Sequence, residues 1–170
     1  MHLYLIIRAL HVLCGALWVG IAVMSAVWLV PMTGDLGPDA AKVGASLQKR
    51  GYMIAIPAIA VTAILSGIWL YWRYTGGFSP EGSRTHAAMA FGTGGILAVL
   101  SLLVGVLLIS RSMMKATALF SEAAASTNEN DKRRLGAAGQ RYRQRAGAAG
   151  RVVAALLVTT IVLMSIAHYL

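Results

Sequence analysis

The stretch RALHVLCGALWVG, Arg8–Gly20, decides the fold. It is apolar apart from Arg8 and His11, and the apolar run continues on both sides, from about residue 3 to residue 30. About 20 such residues in a helix cross the hydrocarbon core of a bilayer. The run is too long for the apolar part of a secretory leader and has no basic segment ahead of it, so it reads as a first membrane helix. An ionisable group inside a bilayer costs roughly 2.5–3.5 kcal/mol on insertion scales. His11 therefore stands out as the first residue whose presence needs a reason.

Working outward, three more apolar runs follow. The expected helices cover about residues 3–30, 52–74, 85–115 and 151–170 of the 170, with a basic connection over about 116–150. The chain is 58% hydrophobic and 12% charged, about half the charge of a soluble domain. The fold class is all-α: an integral membrane four-helix bundle, forming a single membrane domain over residues 1–170. The one cysteine, Cys14, excludes an internal disulfide.

Charge sets the expected orientation. The net charge of +9 gathers between helices three and four, at Lys115, Lys132, Arg133, Arg134, Arg141, Arg143, Arg145 and Arg151, against Glu122, Glu129 and Asp131. Lys42, Lys49 and Arg50 lie between helices one and two. Arg73, Glu81 and Arg84 are the only charges near the connection of helices two and three. Basic excess marks the cytoplasmic side, so both termini are expected outside, in a bacterial inner membrane. The same rule accounts for the basic connection without nucleic acid.

Smaller signals fill in the connections. Helix one is expected to end at Pro31, before the turn-rich MTGDLGPD, Met32–Asp39. DAAKVGASLQKR, Asp39–Arg50, has the spacing of a short amphipathic surface helix. Pro57 is expected to bend helix two. WLYWRY, Trp69–Tyr74, is an interfacial aromatic cluster, and TGGFSPEGS, Thr75–Ser83, an outer loop. STNENDK, Ser126–Lys132, reads as a turn. GAAG recurs at Gly136–Gly139 and Gly147–Gly150, and nothing in the sequence gives the repeat a function.

Four spans of alternating direction place His2, His11, His86 and His168 on one side of the membrane. His11 is the deepest, about 12 Å along its helix from the interface. Arg8 lies one turn outward on its face, Gly15 one turn inward and Trp18 two turns inward. Room beside an imidazole, with a cation nearer the surface, suits a b-type haem: an axial nitrogen for iron, arginines for propionates. His86 is the expected second axial ligand and His168 the next choice, with Arg8 and Arg84 holding propionates. Copper is the competing metal, because Cys14 follows His11 by three residues, although packing is the simpler role for that thiol. No carboxylate lies within a span, and no phosphate loop, zinc signature or nucleophilic triad appears.

The first helix carries the pattern LH-x-x-x-G-x-x-W-x-G at His11, Gly15, Trp18 and Gly20. In this it resembles a group of small bacterial membrane proteins, the CopD-like copper-resistance proteins and the HemJ-type protoporphyrinogen oxidases. The resemblance implies a membrane bundle whose first-helix histidine binds haem or metal. HemJ-type enzymes pair that histidine with a lysine in a later helix, whereas no lysine lies within a span here. CopD-like proteins are usually longer, with eight spans.

The sequence thus leads to a haem protein of the bilayer's outer half, acting in electron transfer with a quinone or a redox partner protein. Copper or other metal handling is the first alternative. An accessory subunit of a larger membrane complex is the second, and a homo-oligomer is compatible with each. Gly92, Gly94, Gly95 and Ala98 suit close helix packing in all of them.

Overall fold

The computed structural model describes residues 2–36 and 40–170; Gly37, Pro38 and Asp39, the end of the turn-rich stretch, lie outside them. The described residues form helices and short connections, with no strand among them. Four helices are long and apolar enough to cross a membrane: helix one, His2–Asp35; helix two, Tyr52–Tyr74; helix three, His86–Ala125; helix four, Glu129–Tyr169. They pack in a ring in chain order, each on its sequence neighbour, with helix four closing back on helix one.

The packing is that of a membrane bundle. Buried positions are mostly small, among them Ala60, Ala63, Ala88, Ala90, Ala146 and Ala154, and the largest fully buried side chain is Leu157. Large apolar side chains face outward: Ile54 is 77% exposed, Ile96 64% and Leu65 62%. In water such a surface would aggregate. In lipid there is no hydrophobic drive between helices, and small residues let backbones approach for dispersion contacts.

Helix one does not stop at Pro31. It passes through a π-helical turn, Ser25–Leu29, and continues as Val30–Asp35. Proline cannot donate to the carbonyl four residues back, and a widened turn next to it absorbs that loss. The hydroxyls of Ser25 and Tyr52 meet at 2.8 Å, tying this turn to the start of helix two. A second π-helical turn, Gly105–Ser110, interrupts helix three. The surface segment is helical over Ala40–Lys49, as its spacing predicts. Helix two runs through Pro57 without a break.

The basic connection is itself helical. Helix three extends to Ala125, the chain turns at 126–128, and helix four starts at Glu129. Asn128 caps the new helix, its Oδ1 accepting from Asn130 N at 2.9 Å. With 40 and 41 residues, helices three and four are each about 60 Å long, twice the hydrocarbon thickness. They therefore stand clear of the membrane as a helical hairpin at the end opposite the histidines. The structure also gives two glycines of the GAAG repeat, Gly139 and Gly147, a role. Gly139, Arg143, Ala146, Gly150, Val153, Leu157, Thr160, Met164 and Ala167 alternate by four and three residues, and all are buried or half-buried. Such 4–3 spacing lines one face of the helix, the face that packs into the bundle. A Cβ at Gly139 would lie 2.9 Å from the Phe120 ring, and one at Gly147 would lie 3.3 Å from Val30 Cγ1. Glycine admits both neighbours. Arg143 completes the junction, its Nη2 donating to the Thr33 carbonyl at 2.5 Å.

At the histidine end, helix two closes on a tight loop. Gly76, Gly77 and Phe78 all have positive φ (64°, 81° and 61°), which the two glycines adopt without strain. Buried Thr75 is the hub: its Oγ1 donates to Tyr71 O and accepts from Phe78 N, and its carbonyl accepts from the Ser79 hydroxyl at 2.7 Å. A Cβ at Gly82 would overlap that carbonyl, which is backbone and cannot rotate away. Gly82→Ala is therefore expected to destabilise the protein by about 1–3 kcal/mol, read as a lower unfolding midpoint in detergent. An unchanged midpoint would show that the loop re-forms elsewhere.

Candidate functional site

His11 is half-buried where helix one meets helix two, and its seat is built from small residues. The imidazole lies against Gly67: a Cβ there would sit 2.8 Å from His11 Cε1 and 3.1 Å from Nδ1. Nδ1 stands 2.8 Å from the carbonyl oxygen of Ala63. Ser66 Oγ is 3.4 Å from the same nitrogen and donates its own proton to the Thr62 carbonyl at 2.6 Å. A carbonyl only accepts, so Nδ1 carries the hydrogen. In the neutral ring Nε2 then keeps its lone pair, and it has no hydrogen-bond partner among the described residues. A backbone carbonyl on Nδ1 is the arrangement that fixes the tautomer and direction of a ligating histidine.

Ring contacts confirm that the four histidines share one end of the bundle. Tyr4 of helix one meets Trp69 of helix two at 6.4 Å between ring centroids. Tyr74 meets Phe91 of helix three at 5.4 Å, and Phe91 meets His168 of helix four at 5.4 Å. These contacts also give depth. Tyr74 lies about 10 Å along helix two beyond Gly67, the level of His11, and His86 lies about 7 Å beyond Phe91. His86 is thus more than about 10 Å further out than His11, at the first turn of helix three, and is exposed. His168 is also exposed at the rim, edge-on to Phe91, and His2 opens helix one. The structure gathers the histidines on one side and seats only His11 at depth.

The remaining expected site residues divide in the same way. Arg8 and Arg84 are exposed at the histidine end and make no ion pair among the described residues. A Cβ at Gly15 would meet nothing within 4 Å, so the flank one turn below His11 is open. Trp18 is buried with Cys14 among Ala60, Ala63, Val153 and Leu157, so it packs the core rather than lining that open flank. Cys14 shares this packing role. No group of three or more His, Cys, Asp or Glu side chains that could hold a metal ion forms among the described residues.

Sequence reasoning found the histidine and missed its seat. The partner is a main-chain oxygen, which every residue has. Only the adjacent small pair Ser66 and Gly67, inside an apolar helix, marks where an imidazole can lie flat. Comparison of the chain with protein-family models, curated proteins and solved structures finds no match.

Proposed function

We propose that this protein binds a b-type haem through His11 and works in electron transfer or redox chemistry in the outer half of a bacterial inner membrane, with both termini outside. One observation carries the reading: an imidazole inside a membrane helix is held by Nδ1 on Ala63 O and presents a bare Nε2. The likeness of the first helix to the CopD-like and HemJ-type proteins supports the same conclusion.

Bound haem supplies one-electron redox chemistry. The chain's own residues supply the rest. Ala63 and Gly67 fix the ring plane and leave Nε2 as a ligand. The open flank at Gly15 leaves room on the helix-one side. Arg8, one turn outward from His11, and Arg84, at the rim, would be the cations for propionates. His86 and His168 lie further out, at the rim, so His11 alone of the four imidazoles would be placed to ligate a haem at depth, and the rim histidines would stand nearer its propionate edge. The redox partner is a quinone or a protein reaching the histidine end.

The test is an absorption spectrum of protein purified in detergent from haem-replete cells, air-oxidised and then reduced with dithionite. A Soret band with sharp reduced α and β bands is expected, lost in His11→Ala and kept in His86→Ala and His168→Ala. A colourless wild-type protein overturns the proposal.

A further inference from the structure

At the opposite end, helices three and four part to form a cleft of about 500 Å³. Its lining divides by depth. Leu107, Leu108 and Val152 are exposed apolar side chains on the membrane side. Arg111, Lys115 and Arg145 are exposed cations on the hairpin side. Between them stands Tyr142, with Lys115 Nζ 5.4 Å and Arg145 Cζ 5.6 Å from its ring centroid. The ring offers each cation a modest attraction, while the cations repel one another. No carboxylate lines the cleft. Glu129 and Asp131 are engaged further up the hairpin with Lys132 and Arg134. Three cations therefore converge on one opening without a counter-charge among the described residues.

We propose that this cleft binds an anionic phospholipid, its phosphodiester between Arg111, Lys115 and Arg145 and its acyl chains along Leu107, Leu108 and Val152. The charge selects an anion. The apolar floor at the hydrocarbon boundary selects one that carries chains, which a free phosphate lacks. Basic pockets between membrane helices on the cytoplasmic side are where acidic headgroups bind. The π-helical turn at Gly105–Ser110 ends directly before Arg111.

The experiment uses the full chain in a neutral detergent, with bound lipid counted by native mass spectrometry. Dioleoylphosphatidylglycerol, dioleoylphosphatidylcholine and inorganic phosphate are the three probes. Saturable binding of phosphatidylglycerol is expected, tighter than phosphatidylcholine by tenfold or more, and not displaced by millimolar phosphate. Replacing two of the three cations (Lys115→Gln with Arg145→Gln) should weaken it about thirtyfold, a factor of about five for each cation removed. Arg133→Gln, higher on the hairpin, should leave it unchanged. Arg111→Gln gives an independent reading at a side chain with no hydrogen-bond partner among the described residues, in case the double variant does not fold. Equal binding of the two lipids, displacement by phosphate, or an effect of Arg133→Gln as large as that of Arg111→Gln would each overturn the proposal.

Discussion

Gly94→Leu is expected to lower the stability of the bundle by about 2–4 kcal/mol, while Gly95→Leu changes it little. Gly94 is buried where helix three crosses helix four. A Cβ there would lie 3.2 Å from Met164 Cε and 3.5 Å from the Thr160 carbonyl oxygen. Met164 is flexible and can yield to a methyl group. The Thr160 carbonyl belongs to a helix and cannot yield to an isobutyl group, so the two helices must separate. Separation also removes the bond from Thr160 Oγ1 to Gly94 O, 3.3 Å long. Such bonds in membranes average about 0.6 kcal/mol, so most of the loss comes from packing. At Gly95 a Cβ meets nothing within 4 Å. Unfolding of both variants in mixed detergent micelles, followed by circular dichroism, measures the difference. Equal midpoints would mean that this crossing does not hold the bundle together.

On the proposed haem reading, Gly67→Ala is expected to reduce haem affinity by about 10–100-fold while the helices remain intact, the usual effect of losing a group that orients a metal-binding histidine. The added methyl would sit 2.8 Å from His11 Cε1. The ring is the free end of a side chain, so it swings aside and the fold survives. In swinging aside it gives up Ala63 O, and Nε2 loses its fixed direction. Ser66→Ala is the comparison. Its hydroxyl is 3.4 Å from Nδ1 and leaves the 2.8 Å bond to Ala63 O in place, so it should retain most of the haem. Soret absorbance per mole of protein, with far-ultraviolet circular dichroism on the same samples, separates loss of haem from loss of fold. Full haem occupancy in Gly67→Ala would remove Ala63 O from the account of the site.

The sequence made the spans legible because the bilayer demands about 20 apolar residues in a row, whatever packs beside them. It made His11 legible because an ionisable residue within such a run is conspicuous. Three features were hidden for physical reasons. The stretch 116–150 is too polar to read as a membrane helix; the helix formers after Lys115 point to an extension of helix three and STNENDK to a turn, but the pairing of the two arms as a helical hairpin shows only in the structure. The π-helical turns leave no compositional mark: Ser25–Leu29 and Gly105–Ser110 look like any apolar helix. The depth of His86 relative to His11 depends on how helices slide past one another, which only contacts such as Tyr74 with Phe91 reveal.

The seam of helix four crosses from water into lipid without a change of period. From Gly139 to Ala167 the same alternation of four and three residues holds, although the hairpin half rests on glycine and arginine and the membrane half on valine, leucine and threonine. One inserted residue would turn everything beyond it by about 100°. Thr160 would leave Gly94, and Arg143 would leave Thr33, depending on which side of the insertion each lay. Over this distance a change in length keeps both contacts only where it is close to a whole number of helical turns, about 7, 11 or 18 residues. Such spacing keys the part of the protein that meets the aqueous phase to the part that holds His11, and a relative with a longer stalk should differ here by nearly whole helical turns.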